Sequence, residues 1–75
     1  MRNYNEFPQL ARMASPRRSE LIALACLSRT DETIARMRLI DGCDYADIGA
    51  AVNMDRTGVS KRLRKTIVPR LEMFI

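Results

Sequence analysis

The sequence predicts an all-α fold, a small bundle of about five helices forming one domain over residues 1–75. Three observations carry this expectation. The chain is 47% apolar, which favours a folded domain over disorder, and its 75 residues leave room for one domain only. Ala, Leu, Arg and Met dominate while β-branched residues are scattered, so no segment reads as a strand. Helix-start and helix-stop residues punctuate the chain at short intervals, with no repeat and no Gly/Ser linker between them.

The elements follow in order. Asn5 can cap a short first turn through Glu6, Phe7, Pro8, Gln9 and Leu10 towards Met13; Pro8 is tolerated because first-turn amides lack helical partners. Ser15-Pro16 marks a second start, with Ser15 as N-cap and Pro16 at the first helical position. Leu21, Ile22, Leu24, Ala25 and Cys26 then recur at helical spacing, which predicts a broad buried face. After the polar break Ser28-Arg29, Thr30 or Asp31 can cap a third helix whose inner side is Ile34, Met37 and Ile40, flanked by Ala35 and Leu39. Gly42 fits a left-handed stop. Asp44 can accept early amides of a fourth helix, with Asp47 near its positive end and Tyr45, Ile48, Ala51 and Val52 inward. Asn53 ends it, as a residue that tolerates the left-handed region. Asp55 can cap a last helix from Arg56 to at least Lys65, which Pro69 should end or kink.

Charge is unevenly placed. Residues 1–54 hold seven Arg and seven Asp or Glu and balance. Residues 55–75 hold Arg56, Lys61, Arg62, Arg64, Lys65 and Arg70 against Asp55 and Glu72, so the whole +4 excess lies there. A positive field on one element suits a polyanion or an acidic protein surface; a solvated basic helix face would give the same count.

The segment 45–65, YADIGAAVNMDRTGVSKRLRK, meets each demand of two short helices crossing at a tight turn. Gly49 is small where the second helix crosses, and Ile48 and Val52 are apolar beside it. Asn53 suits the turn, Met54 can plug it, and Val59 and Leu63 anchor the second helix inward. This is the pattern of a helix-turn-helix. On the outward side, Arg56, Thr57, Ser60, Lys61 and Arg64 fall within about 140° of arc at about 100° per residue. All five are hydrogen-bond donors, which suits a helix in the major groove of double-stranded DNA, where Arg and Lys pair with guanine and Thr and Ser reach phosphate or thymine methyl. They are the candidate base-reading residues. Arg62 and Lys65 lie off that arc and are candidate phosphate contacts.

Here the chain resembles known families. The run IDGCDYADIGAAVNMDRTGVSKRLRK, residues 40–65, looks like the helix-turn-helix in the fourth region of bacterial sigma factors, where a "G-x-(S/T/D)-Y-x-(E/D)-I-A" helix precedes a "T/S-x-V-x-x-R-L" recognition helix. It is also similar to TrfB-type plasmid repressors, with their "V/L-x-D-G" lead-in and "R-G-A/T-V-S" recognition-helix start. The match is strongest over residues 34–65. The chain departs from the general motif at Asn53, where Gly is usual, and at Gly49, where Ala is usual. The dimerisation domain of the plasmid repressors has no counterpart, nor have the other sigma regions, which argues against a stand-alone sigma factor. The resemblance implies a bacterial, plasmid or phage transcriptional regulator.

Other features read as structural. The sequence has no histidine, and its two cysteines form no CxxC pair, so a structural zinc site lacks ligands and a disulfide framework lacks partners. Cys26 reads as a small buried hydrophobe and Cys43 as a loop thiol; free thiols fit a reducing cytosol, and a cytoplasmic, nucleoid-associated protein is expected. Asp44 and Asp47 read as helix-start residues rather than a carboxylate pair. Met13, Met37 and Met54 read as core filler. Arg17 and Arg18 stand in a first helical turn, where cations are unfavourable, and so are further phosphate candidates beside a plain solvated role. The apolar tail, residues 70–75, sets Leu71, Met73, Phe74 and Ile75 either back on the core or against a second copy as a homodimer contact. No apolar run is long enough for a membrane span.

The function expected is sequence-specific binding of double-stranded DNA by a small transcriptional regulator, most simply a repressor, with helix 56–65 in the major groove and no cofactor. The rival is a protein-interaction module shaped like sigma region four that binds RNA polymerase or another regulator. An enzyme has little support, since no nucleophile stands beside a base and no phosphate loop is present.

Overall fold

The computed structural model describes residues 7–75; Asn5 and Glu6, expected to open the first turn, lie outside them. The described residues form α1 (Pro8–Ala11), α2 (Ser15–Leu24), α3 (Arg29–Leu39), α4 (Tyr45–Val52) and α5 (Arg56–Arg62), which runs through a π turn (Leu63–Ile67) into α6 (Val68–Glu72). With α5, the π turn and α6 taken as one rod, this is an all-α bundle of five helices, and no strand occurs among the described residues. None of its helices is long and apolar enough to cross a membrane.

α1 starts on Pro8, where a missing amide costs no helical bond. Phe7 and Leu10 of this turn are buried. Arg18 fastens it to α2, donating to the carbonyls of Leu10 (3.1 Å) and Met13 (2.7 Å) and to the Ser15 hydroxyl (3.1 Å). Ser15 is therefore not the N-cap. Ala14 holds that place in an extended conformation and Ser15 begins the helix, its hydroxyl already engaged by Arg18.

Leu21, Ile22 and Ala25 are buried, but two expected members of that face are not. Leu24 is exposed, and Cys26 is exposed with φ 52°. The helix ends at Leu24, so Cys26 has already left the helical period and sits in the left-handed region. The Ala25 carbonyl at this end accepts from Nε of Arg70 at 3.1 Å, which satisfies a helix-terminal acceptor.

α3 is capped by Ser28, whose hydroxyl accepts the Asp31 amide at 3.2 Å. Neither Thr30 nor Asp31 is the cap; the Asp31 carboxylate is turned instead to Arg62 on α5. Ile34, Ala35 and Leu39 are buried, with Met37 and Ile40 half-buried beside them. Gly42 takes φ 73° and stops the chain as expected. Arg38 then sets the approach to α4: it donates to the Cys43 carbonyl at 2.9 Å and lies 4.4 Å over the Tyr45 ring, a cation–π contact. In α4, Ile48 is buried and Tyr45 and Val52 half-buried, while Ala51 is exposed rather than inward.

Pro69 does not end the last helix. It sits in the first turn of α6, and the π turn before it takes up the disruption. The reason lies in the spacing of the core residues. Val59, Leu63, Ile67 and Leu71 are buried at successive steps of four. In an α-helix each such step drifts by about 40°, so the stripe would rotate about 120° off the core by Leu71. The wider i→i+5 bonding, seen where the Val68 amide donates to the Leu63 carbonyl, amounts to one inserted residue and returns about 100° of that drift. All four side chains thus join one buried cluster with Leu21, Ile22, Ile34, Leu39 and Ile48. Pro69 offers no hydrogen to the carbonyls a turn earlier, which makes this stretch the natural place for the insertion.

A left-handed cysteine is strained by about 1–2 kcal/mol relative to glycine. Cys26→Gly should raise the stability measured by denaturant unfolding by about 0.5–1 kcal/mol, net of the greater freedom of unfolded glycine. An unchanged or lowered midpoint would contradict strain at this position.

Candidate nucleic-acid interface

The site is built on the crossing of α4 and α5. Gly49 is buried in α4, and a Cβ there would collide with the Met54 carbonyl oxygen and lie 3.4 Å from the Asp55 carbonyl carbon. Asn53 takes the left-handed conformation (φ 61°, ψ 45°), and its amide and that of Met54 both turn back to the Gly49 carbonyl, the latter at 2.9 Å. This closes the helix end with its orphan carbonyl satisfied. Asn53 thus fills the role expected of it. The glycine that stands where the general motif has alanine is a steric requirement of this turn.

Both flanking starts are capped by carboxylates. Asp44 Oδ1 accepts the Asp47 amide at 2.9 Å, and Asp55 Oδ1 accepts the Gly58 amide at 2.7 Å. Gly58, the third residue of α5, is a part of this junction that the residue pattern does not single out. A Cβ at Gly58 would stand 3.0 Å from Asp55 Oδ1 and 3.3 Å from Met54 Cε. The available signal was a glycine three residues after a capping Asp. Met54 is half-buried in the turn, and Val59 and Leu63 are fully buried behind α5.

On the opposite side, Arg56, Thr57, Lys61 and Arg64 are exposed and Ser60 half-buried. The π turn changes one placement. Over four purely α-helical steps Lys65 would stand about 40° round from Lys61, but the wider turn beginning at Leu63 draws it back towards Lys61. Lys61 and Lys65, both exposed, are thus brought nearer to one line, while Thr57, four purely α-helical residues before Lys61, stands about 40° round from it. Arg64 also lies against its own helix, Nε 3.5 Å from the Ser60 carbonyl. No carboxylate occurs between Arg56 and Lys65, so the face is uniformly cationic or neutral.

The remaining phosphate candidates are engaged within the chain. Arg62 grips Asp31 with both arms of its fork, Nε to Oδ1 at 2.7 Å and Nη2 to Oδ2 at 2.9 Å. That hydrogen bond, and then the charge of Asp31, hold the guanidinium above its ordinary pKa. Arg62 thus has its Nε and Nη2 already committed to a partner within the fold. Arg18 is the inward clasp on α1, and Arg17 pairs with Glu20 at 2.9 Å on the surface.

The tail divides in two. Leu71 is fully buried in its own core and is withdrawn from any contact with a second copy; the four-residue stripe claims it. Met73, Phe74 and Ile75 remain 75%, 38% and 50% exposed, as does Leu24 at 52%. The rod from Arg56 to Glu72 is about 25 Å long at about 1.5 Å per residue, close to the 29 Å greatest extent of the molecule. The cationic face and the apolar tail thus stand towards opposite ends of it. No family model, curated protein or solved structure matches the chain.

Gly49→Ala tests the crossing. Alanine would gain up to about 1 kcal/mol in helix propensity but must displace the turn backbone. The expected outcome is a net loss of about 1–3 kcal/mol in thermal or denaturant unfolding, whereas a stabilised variant would mean that the helices cross less closely.

Proposed function

We propose that the chain binds double-stranded DNA sequence-specifically as a small transcriptional regulator, with α4, the turn and α5 acting as a helix-turn-helix. The observation that carries this reading is the acid-free donor face of α5, presented outward while Val59 and Leu63 anchor its back. In this reading α5 enters the major groove. Arg56, Thr57, Ser60 and Lys61, nearest its N-terminal end, reach base edges. Arg64 spans base and backbone, and Lys65, drawn towards the line of Lys61, meets phosphate. Asp44 and Asp47 are exposed at the start of α4, so phosphates would lie away from that end. Occlusion of a promoter would make the protein a repressor, in a bacterium, plasmid or phage as the motif resemblance suggests.

The exposed Leu24, Met73, Phe74 and Ile75 support a protein contact as well, and a second copy fits the geometry of the first reading. From Ser60 to Phe74 is about 21 Å along a helical axis. Two copies meeting through their tails could hold their α5 helices up to about 42 Å apart, a range that includes the 34–36 Å (about one turn) between half-sites. The same surface favours the rival reading, in which a module shaped like sigma region four binds RNA polymerase or another regulator. Selectivity for one duplex separates the two, since a protein-directed basic face has no reason to discriminate among DNA sequences.

Arg56→Ala or Lys61→Ala should weaken binding to the preferred duplex by about 1–3 kcal/mol and relax selectivity at one position, read by titration against the preferred duplex and single-base variants of it. Sequence preference untouched by both changes would remove α5 as the reading helix. Phe74→Asp should convert a dimer to a monomer in sedimentation equilibrium and reduce a two-half-site preference to a single half-site. A wild-type chain that stays monomeric on its palindrome would count against the tail contact.

A further inference from the structure

The Asp31–Arg62 pair links two elements that are 31 positions apart in the chain, and its geometry is unlike that of the surface pairs. The Asp31 side chain is only 7% exposed, against 46% for Arg62. Asp31 is itself held at the start of α3, its amide bound by the Ser28 hydroxyl. Its carboxylate therefore has a fixed position, and both oxygens are met by the planar fork of Arg62 at 2.7 and 2.9 Å. A bidentate bond of this kind constrains direction as well as distance. Arg62 is also the last residue of α5 before the π turn.

The apolar anchors leave one freedom that this bond restrains. Val59 and Leu63 hold the back of α5 against the core, but apolar packing is non-directional, and a rod seated on a single stripe can roll about its axis. Roll is the motion that would swing Thr57, Lys61 and Lys65 sideways across a groove. Arg62 projects from the flank, about 100° round from Lys61, where a bond to a fixed point opposes roll most directly.

We infer that Arg62 is a positioning residue: by clamping α5 to the buried carboxylate of Asp31 it fixes the rotation at which the outward face meets base edges, and it makes no phosphate contact of its own. This rests on the DNA-reading function above. A phosphate contact needs only a point charge, which lysine supplies, whereas the clamp needs the two-armed fork, which lysine lacks.

The test uses the full chain with Arg62→Lys, Arg62→Ala, Asp31→Ala and the double alanine variant, at a temperature where circular dichroism shows each to be folded. Binding to the preferred duplex and to bulk DNA is measured across a salt series. The clamp predicts that every variant, lysine included, loses about tenfold in the ratio of specific to bulk affinity, the scale of one lost base contact. It also predicts an unchanged salt dependence, and a double variant no worse than either single one. A purely structural role would lower the folded fraction and leave that ratio alone. Rescue by lysine, a salt slope reduced by about one phosphate in Arg62→Ala, or tighter binding by Asp31→Ala through a freed Arg62 would each overturn the inference. If the wild-type chain prefers no duplex, the DNA reading fails and the clamp's role falls with it. If it prefers one and the variants keep that preference, only the clamp fails.

Discussion

The close approach of two backbones at Gly49 is the constraint from which the rest follows. The Met54 carbonyl stands where a side chain on Gly49 would begin, so the turn that leads into α5 lies directly against the backbone of α4. To make that crossing, the chain must reverse within three residues. This requires the left-handed Asn53, the double return of amides to the Gly49 carbonyl and the Asp55 cap on the Gly58 amide. With the start of α5 fixed in this way, Val59 faces the core and the five donors face out. The direction of the whole rod is then set by a few ångströms of backbone.

The rod itself is shaped by a mismatch. Its buried side chains repeat every four residues, and an α-helix repeats every 3.6. The π turn at Leu63–Ile67 resolves the conflict in favour of the core, and its effect is felt on the opposite side as well. Lys65 is drawn towards the line of Lys61, while Leu71 is kept in the core and Met73, Phe74 and Ile75 stay exposed. Burial on one side thus determines both the interface and the exposed tail.

Short-range devices were readable from residue order, and long-range ones were not. Gly42, Asp44, Asn53 and Asp55 act where expected because each acts within a few residues of itself, on a backbone its own neighbours define. The cap of α3, expected at Thr30 or Asp31, is Ser28. The Asp31 carboxylate is engaged instead by Arg62, a partner 31 positions away. The Ser15 hydroxyl is similarly engaged by Arg18. Cys26 misleads because cysteine carries no turn signal, so its spacing suggested a helical face it had already left. Pro69 carries a local signal to end or kink the helix; that a π turn accommodates it while the rod continues follows only from the four-residue burial rhythm. Of the candidate interface, the outward face of α5 was legible from periodicity, whereas the engagement of Arg62 and Arg18 depends on partners that distance along the chain conceals.

The central claim is that the outward face of α5 reads DNA sequence. Selection of bound duplexes from a random pool at physiological salt, followed by sequencing of the recovered sites, tests it most directly. The account predicts enrichment of a defined sequence, as two half-sites about one helical turn apart if the tail joins two copies and as one short site if it does not. Recovery of unenriched DNA, bound only in a salt-sensitive manner, would contradict it and leave the cationic face to an acidic protein partner.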